Sequence, residues 1–246
     1  MKSTPKTTAR RVFARLAAGL VVSLALAGSW PTMAQTAPAA LPKGTLIELR
    51  ADGDAHDLAL IISGDGGWAD LDKQLGAVMA GRGVSVLGWD AYKYFNNTRS
   101  PEETARDVAD TLRHYLSAWH KDRLILVGFS FGGAVMPFIL NRLPDDLRPK
   151  VALVTLLSTE TYANWEIHWG DWLKDTQHAS ARPLAPEMAR LSGYKVLCVY
   201  GTDEAAGSVC PTLSPSQAEV LKLPGGHHFD GNYPALAEQI MHRVPQ

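Results

Sequence analysis

Apolar residues in this chain come as short, mostly apolar runs set between longer amphipathic stretches. The runs are Leu58 to Ile62, Val84 to Leu87, Leu124 to Val127, Val151 to Leu157, Val196 to Tyr200 and Val220 to Leu223. Runs of four to seven apolar residues without alternation suit strands of a parallel sheet buried on both faces. Helical patterns lie between them, at Leu71 to Arg82, Pro101 to Trp119, Phe131 to Arg142 and Pro234 to Val244. The second has a clear start: Ser100 caps, Pro101 fits the first helical position, and Glu103 closes a capping box. Strand alternating with helix predicts the α/β class, a mostly parallel, doubly wound sheet with helices on both faces. In such sheets the chemistry gathers in loops at the carboxyl ends of the strands.

The strand at Leu124 to Val127 breaks into Gly128-Phe129-Ser130-Phe131-Gly132-Gly133 and then enters an apolar helix. Gly-x-Ser-x-Gly between a buried strand and a helix is the pattern of a nucleophile elbow, a strained turn that lifts a serine Oγ to the top of a sheet. Ser130 is the candidate nucleophile. Serine is weakly nucleophilic at neutral pH and needs a base within hydrogen-bond reach, itself oriented by a carboxylate. After the strand at Val196 to Tyr200 comes Gly201-Thr202-Asp203-Glu204, which offers Glu204 or Asp203 as the acid, with counting from the glycine favouring Glu204. After the last strand comes Pro224-Gly225-Gly226-His227-His228-Phe229, which offers His227 or His228 as the base. The Gly-His-x-Phe arrangement favours His227. Serine, acid, histidine is the chain order of α/β-hydrolases, so the expected fold is that one.

An oxyanion formed at Ser130 needs backbone N–H donors fixed in advance. Phe131 supplies one. Ser63-Gly64-Asp65-Gly66-Gly67-Trp68, after the strand ending at Ile62, stands where the second belongs, with Asp65 or Gly66 as donor. This glycine loop lacks a Gly-Lys-Ser/Thr ending, so a nucleotide cradle is excluded. No motif asks for a cofactor or a metal.

Charge and leader set the compartment. Lys2, Lys6, Arg10, Arg11 and Arg15 precede an apolar stretch from Leu16 to about Gly28, and small residues follow at Thr32-Met33-Ala34. Residues 1–34 read as a cleavable export signal, 35–43 as a flexible tether and 44–246 as a single domain. The apolar stretch falls short of the about 20 residues of a permanent anchor. Arg10-Arg11 leaves both general and twin-arginine export open. Without the five leader cations the formal charge moves from −1 to −6, which excludes nucleic-acid binding by charge. An exported chain with two cysteines, Cys198 and Cys210, is read economically as holding a disulfide that pins both ends of the loop carrying the acid.

Taken together, Ser63 to Trp68, Asp90 with Tyr94-Phe95 and Pro101-Glu102, Gly128 to Gly133, the cysteine pair around Gly-Thr-Asp-Glu, and Pro224 to Tyr233 resemble the VirJ/AcvB family of bacterial virulence proteins. The resemblance implies a periplasmic α/β-hydrolase, hydrolysis of the aminoacyl ester of lysyl-phosphatidylglycerol as in the AcvB branch, and a part in virulence-associated secretion as in the short VirJ branch. The length places the chain with the short members. Implied partners are a lipid or small-molecule ester, the outer leaflet of the inner membrane, and secretion-system proteins. Asp65, Asp70 and Asp90 are candidates to read a substrate amine, with turn and helix-start chemistry as the competing use of Asp65 and Asp70. Trp68 is a further candidate for substrate contact. Trp165, Trp169 and Trp172 recur at helical spacing, as either a core stripe or an apolar lid against a membrane interface. Two other functions compete with the aminoacyl-lipid reading: a general carboxylesterase or thioesterase, and a secretion adaptor that uses the fold only to bind proteins.

Overall fold

The computed structural model of this protein describes residues 41–52, 55–171 and 177–245. The export leader at 1–34 and the tether up to residue 40 lie outside the described residues, as does Trp172. In chain order the elements are β1 (Leu46–Leu49), β2 (Asp57–Ile62), α1 (Asp70–Gly81), β3 (Ser85–Trp89), α2 (Ala91–Tyr94), α3 (Pro101–Ala118), β4 (Arg123–Phe129), α4 (Phe131–Leu140) and β5 (Val151–Leu157). There follow β6 (Tyr162–Ala163), β7 (Arg182–Pro183), α5 (Ala185–Met188), β8 (Val196–Gly201), β9 (Glu219–Leu223) and α6 (Tyr233–Met241).

Seven strands form one sheet in the order β1-β3-β2-β4-β5-β8-β9. All neighbours in it run parallel except β1, which pairs antiparallel to β3. The six apolar runs of the sequence are the six parallel strands. The short edge strand β1 was not expected, since its half-buried residues make no continuous apolar run.

Burial on both faces explains why the runs of β2, β3, β4, β5 and β8 do not alternate in polarity, yet the side chains still alternate in direction, whereas the edge strand β9 is largely exposed. Leu58, Leu60 and Ile62 of β2 pack in one layer with Leu124 and Leu126 of β4, Val108 and Leu112 of α3, and Val135 and Ile139 of α4. Ala59 and Ile61 turn to the other layer with Ile125 and Val127, Leu71, Leu75 and Met79 of α1, and Leu236 and Ile240 of α6. The sheet is thereby fixed between α3 and α4 on one side and α1 and α6 on the other.

The Ser100 hydroxyl accepts the Glu103 N–H at 3.1 Å, so α3 starts where expected. The Glu103 carboxylate pairs with the Arg99 guanidinium.

The expected stripe of tryptophans is not a helix. The segment after β5 forms the two-strand ribbon of β6 and β7 instead. Trp165 is buried against Phe95 and Phe138, whereas Trp169 is 83% exposed. Of the three tryptophans at helical spacing, the two among the described residues therefore have opposite surroundings.

Candidate active site

Ser130 stands between the last residue of β4 and the first of α4, with φ 51° and ψ −115°. Positive φ in a residue bearing a Cβ is strained, and the two flanking glycines let the strand and helix tolerate it. A Cβ on Gly128 would fall 2.6 Å from the Gly132 carbonyl carbon, and one on Gly132 would fall 2.7 Å from the Ile62 carbonyl carbon. Helix, nucleophile turn and β2 therefore approach backbone to backbone. The Ser130 N–H bonds to the Leu157 carbonyl at 2.8 Å, which fastens the turn to β5.

Of the two acids, Glu204 faces the histidine. Its Oε2 lies 2.7 Å from His227 Nδ1, and its Oε1 accepts the Gly201 N–H at 3.1 Å. Asp203 is exposed, and its backbone N–H donates to the Gly225 carbonyl. The acid sits on a single 3-10 turn, Thr202–Glu204, directly after β8. The loops of acid and base are braced to each other. Thr202 Oγ1 donates to the Leu223 carbonyl at 2.8 Å, and Ser158 Oγ to the His227 carbonyl at 2.9 Å. A disulfide joins Cys198 in β8 to Cys210, so the loop that carries Glu204 is closed on itself.

Of the two histidines, His227 pairs with the acid while His228 is exposed and has Tyr233 Oη 3.3 Å from its Nδ1. Burial opposes protonation of His227, but the hydrogen bond and charge of Glu204 outweigh it, with Glu160 and Asp65 adding, so its pKa stands above the ordinary histidine value. Burial likewise works against the Glu204 carboxylate, and hydrogen bonds from His227, Ser158 and the Gly201 N–H override it to hold the group below the usual glutamate value. Burial and the neighbouring His227 push His228 down.

Phe131 opens α4, so its N–H is among the first-turn donors that have no partner within the helix. The loop Ser63 to Trp68 reaches the nucleophile at Gly64, where a Cβ would lie 3.5 Å from that of Ser130. Gly67, at φ 77°, closes a turn by donating to the Gly64 carbonyl at 3.0 Å. Ser63 Oγ accepts the Ala91 N–H at 3.0 Å and ties the loop to α2. Asp65 is partly buried, which raises its carboxyl above the ordinary value against the opposing pull of the Gly66 N–H and of His227.

Ser130, Phe131, His227, His228, Asp65 and Gly66 all line one cleft of about 460 Å³, behind whose histidine Glu204 lies. Two expected substrate contacts are not in its wall. Asp90 is buried behind the oxyanion loop, where its carboxylate caps α2 by accepting the Lys93 N–H at 3.1 Å and pairs with the Lys93 ammonium at 3.1 Å. A Cβ on Gly67 would touch its Oδ1 at 3.0 Å, so Asp90 stands behind the loop and outside the cleft wall. Trp68 packs into the core over Gly88, where a Cβ would fall 2.6 Å from the indole, and toward Gly76 of α1.

The cleft holds an acid that sequence reasoning missed. Asp72 is 1% exposed and also lines the cleft. Its Oδ2 accepts the Ala69 N–H at 3.0 Å, a cap that the alanine itself cannot supply, while its Oδ1 is buried with no hydrogen-bond partner. Burial pushes its carboxyl up to about 7, with the charge of Asp90 adding. Its position at the third residue of α1 was the one available signal, and that speaks only for the cap. Together Asp65, Asp70, Asp72, Glu160 and Asp171 face the cleft, and no lysine or arginine does among the described residues.

Comparison with known proteins places this geometry. The sequence profile described as bacterial virulence protein (VirJ) matches residues 56–246. No curated protein matches the chain. Among solved structures, Est1E from Butyrivibrio proteoclasticus superimposes with a TM-score of 0.58 at 13% identity, over 80% of this chain and 90% of Est1E. The same protein with ferulic acid bound gives 0.59 at 12%, over 82% and 94%. LpqC, a poly(3-hydroxybutyrate) depolymerase from Bordetella parapertussis, gives 0.52 at 16%, over 82% and 85%. These likenesses establish the α/β-hydrolase fold shared with esterases.

Proposed function

Because this chain belongs to the VirJ family of bacterial virulence proteins and has the fold of esterases, we propose that it is a periplasmic serine hydrolase that cleaves the aminoacyl ester of lysyl-phosphatidylglycerol. Ser130 Oγ attacks the ester carbonyl. His227, whose Nδ1 is held by Glu204, takes the serine proton on Nε2 and returns it to the departing glycerol oxygen. The N–H of Phe131 and one from the Asp65-Gly66 turn receive the oxyanion. Water then attacks the aminoacyl-serine by the same route, releasing the amino acid and restoring Ser130.

The observation that carries the substrate class is the cleft wall. Five acidic side chains, of which Asp72 is held protonated up to about 7, and no lysine or arginine line it among the described residues, an environment that favours a cationic ester over a neutral or anionic one. Asp65 and Asp70 stand ready to meet an ammonium group, as does Asp72 once ionised. Two further features suit an exported, lipid-facing enzyme. The chain carries a disulfide. Trp169 is exposed two residues from the cleft-lining Asp171, where it can rest in the outer leaflet of the inner membrane. No helix among the described residues is long and apolar enough to cross a membrane.

The test is hydrolysis by the purified chain lacking residues 1–34. Ser130→Ala is expected to lower kcat by about 10⁴ or more on lysyl-phosphatidylglycerol, with the substrate still bound. A neutral short-chain ester is expected to be turned over with a much lower kcat/KM. Equal activity of the variant refutes the serine mechanism, and preference for the neutral ester refutes the substrate class. Failure of a fluorophosphonate probe to label Ser130 in folded protein favours the adaptor function.

A further inference from the structure

At the rim of the same cleft, on residues outside the hydrolytic machinery, His168, Asp171 and His178 bring their donor atoms within 4.8 Å of one another. We propose that these three side chains form a binding site for a transition-metal dication of the zinc type. Nothing in the sequence pattern had asked for a metal, because the spacing of 168, 171 and 178 is not that of a known short motif.

The donor set fits the ion. Two imidazoles and one carboxylate are a common three-ligand set for Zn²⁺, leaving a fourth position for water or a ligand. Tetrahedral bonds of about 2.0–2.1 Å place neighbouring ligand atoms roughly 3.3 Å apart. His178 Nε2 and Asp171 Oδ2 already stand 3.0 Å apart. With no donor pair more than 4.8 Å apart, His168 needs to close by at most about 1.5 Å, and its exposed ring is free to do so.

The backbone prepares the arrangement. The His168 N–H donates to Asp171 Oδ2 at 2.6 Å, the Asp171 N–H to the His168 carbonyl at 3.2 Å, and the His178 N–H to Asn164 Oδ1 at 3.1 Å. The rings of His168 and His178 meet edge to face with centroids 4.8 Å apart. Glu166 Oε2 lies 3.9 Å from His168 Nε2 and adds negative charge beside the group. The local turn between residues 168 and 171 sets the backbone of His168 beside Asp171, and the ring donors of His168 and His178 come within 4.8 Å of that carboxylate.

The consequence reaches the cleft, because Asp171 also lines it. An ion held there offsets one of the carboxylates that face the substrate and turns a rim acid into a ligand.

Untagged protein, freed of metal with a chelator, is titrated with Zn²⁺ by calorimetry and with Co²⁺ by its visible absorption. One ion per chain with a dissociation constant of about 10 µM or tighter is expected, with cobalt bands of a mixed nitrogen and oxygen site. His168→Ala and His178→Ala should each weaken binding by at least about tenfold, while Ser130→Ala binds as the wild type does. His168 is exposed, so its variant keeps the fold and circular dichroism verifies this. The absence of stoichiometric uptake, or undiminished uptake by His168→Ala, overturns the site, and neither outcome touches the serine mechanism.

Discussion

Replacing Asp72 with asparagine should make the protein more stable at pH 8 and leave it nearly unchanged at pH 4. In the unfolded chain this carboxyl ionises at its ordinary value of 3.8, whereas in the fold burial holds it protonated up to about 7. The native state thus binds one more proton than the unfolded state between those limits. Stability from this group is fully present below 3.8 and is lost as pH rises through about 7. Each pH unit in that window removes about 1.4 kcal/mol, which sums to roughly 4 kcal/mol above it. The group is 1% exposed, so solvent gives little relief. Asparagine imitates the protonated acid: its carbonyl oxygen can still accept the Ala69 N–H, and it never ionises. Urea unfolding of both proteins at pH 4, 5, 6, 7 and 8 measures the difference directly, since all other titrating groups are common to both. The asparagine variant should gain up to about 4 kcal/mol across the series, or about 8–16 °C in melting temperature for a domain of this size. A difference that stays constant with pH, or that grows toward acid, would refute the reasoning.

Two further outcomes follow from the base and from the disulfide. The proposed mechanism needs His227 unprotonated, so the rising limb of kcat/KM against pH should lie above the ordinary histidine value of about 6.5, and Glu204→Gln should move it to lower pH by removing the carboxylate that raises it; a limb that stays in place would assign the base elsewhere. Removing the Cys198–Cys210 bridge by paired serine substitutions should cost about 3 kcal/mol in chemical denaturation, given a separation of 12 residues, and lower kcat as the Glu204 loop loosens. An unchanged unfolding midpoint would mean that the loop is held by its other bonds.

Much of the architecture was legible because its cause is local. Strands buried on both faces must be continuously apolar, and the elbow at Ser130 requires small residues at 128 and 132, so both leave marks in the chain. The loops bearing Glu204 and His227 were found for the same reason, each following an apolar run at a glycine. Within each adjacent pair the glycine spacing favoured Glu204 and His227, and the fold brings those two together while Asp203 and His228 are exposed. Asp90 and Trp68 were misplaced by reasoning from nearness in sequence to a catalytic loop. The residues next to such a loop are as often its supports. The tryptophans at 165 and 169 show the limit of periodicity in a segment with little regular structure. The sequence signal at Asp72 spoke only for a helix cap and the group of His168, Asp171 and His178 gave none, since a buried unpaired oxygen and a convergence of three donors exist only after the chain is folded.

The backbone angles at Ser130 also bear on why the chain keeps a serine there. A residue with a Cβ held at φ 51° and ψ −115° costs on the order of 1–3 kcal/mol that glycine would not. A glycine at this place would give a more stable molecule with the same shape. Selection for a scaffold alone, whether for docking or for carrying partners, would drift toward that inert and more comfortable residue. On the proposed function, the strained hydroxyl at this turn has one use that offsets its cost, the bond that it makes to substrate.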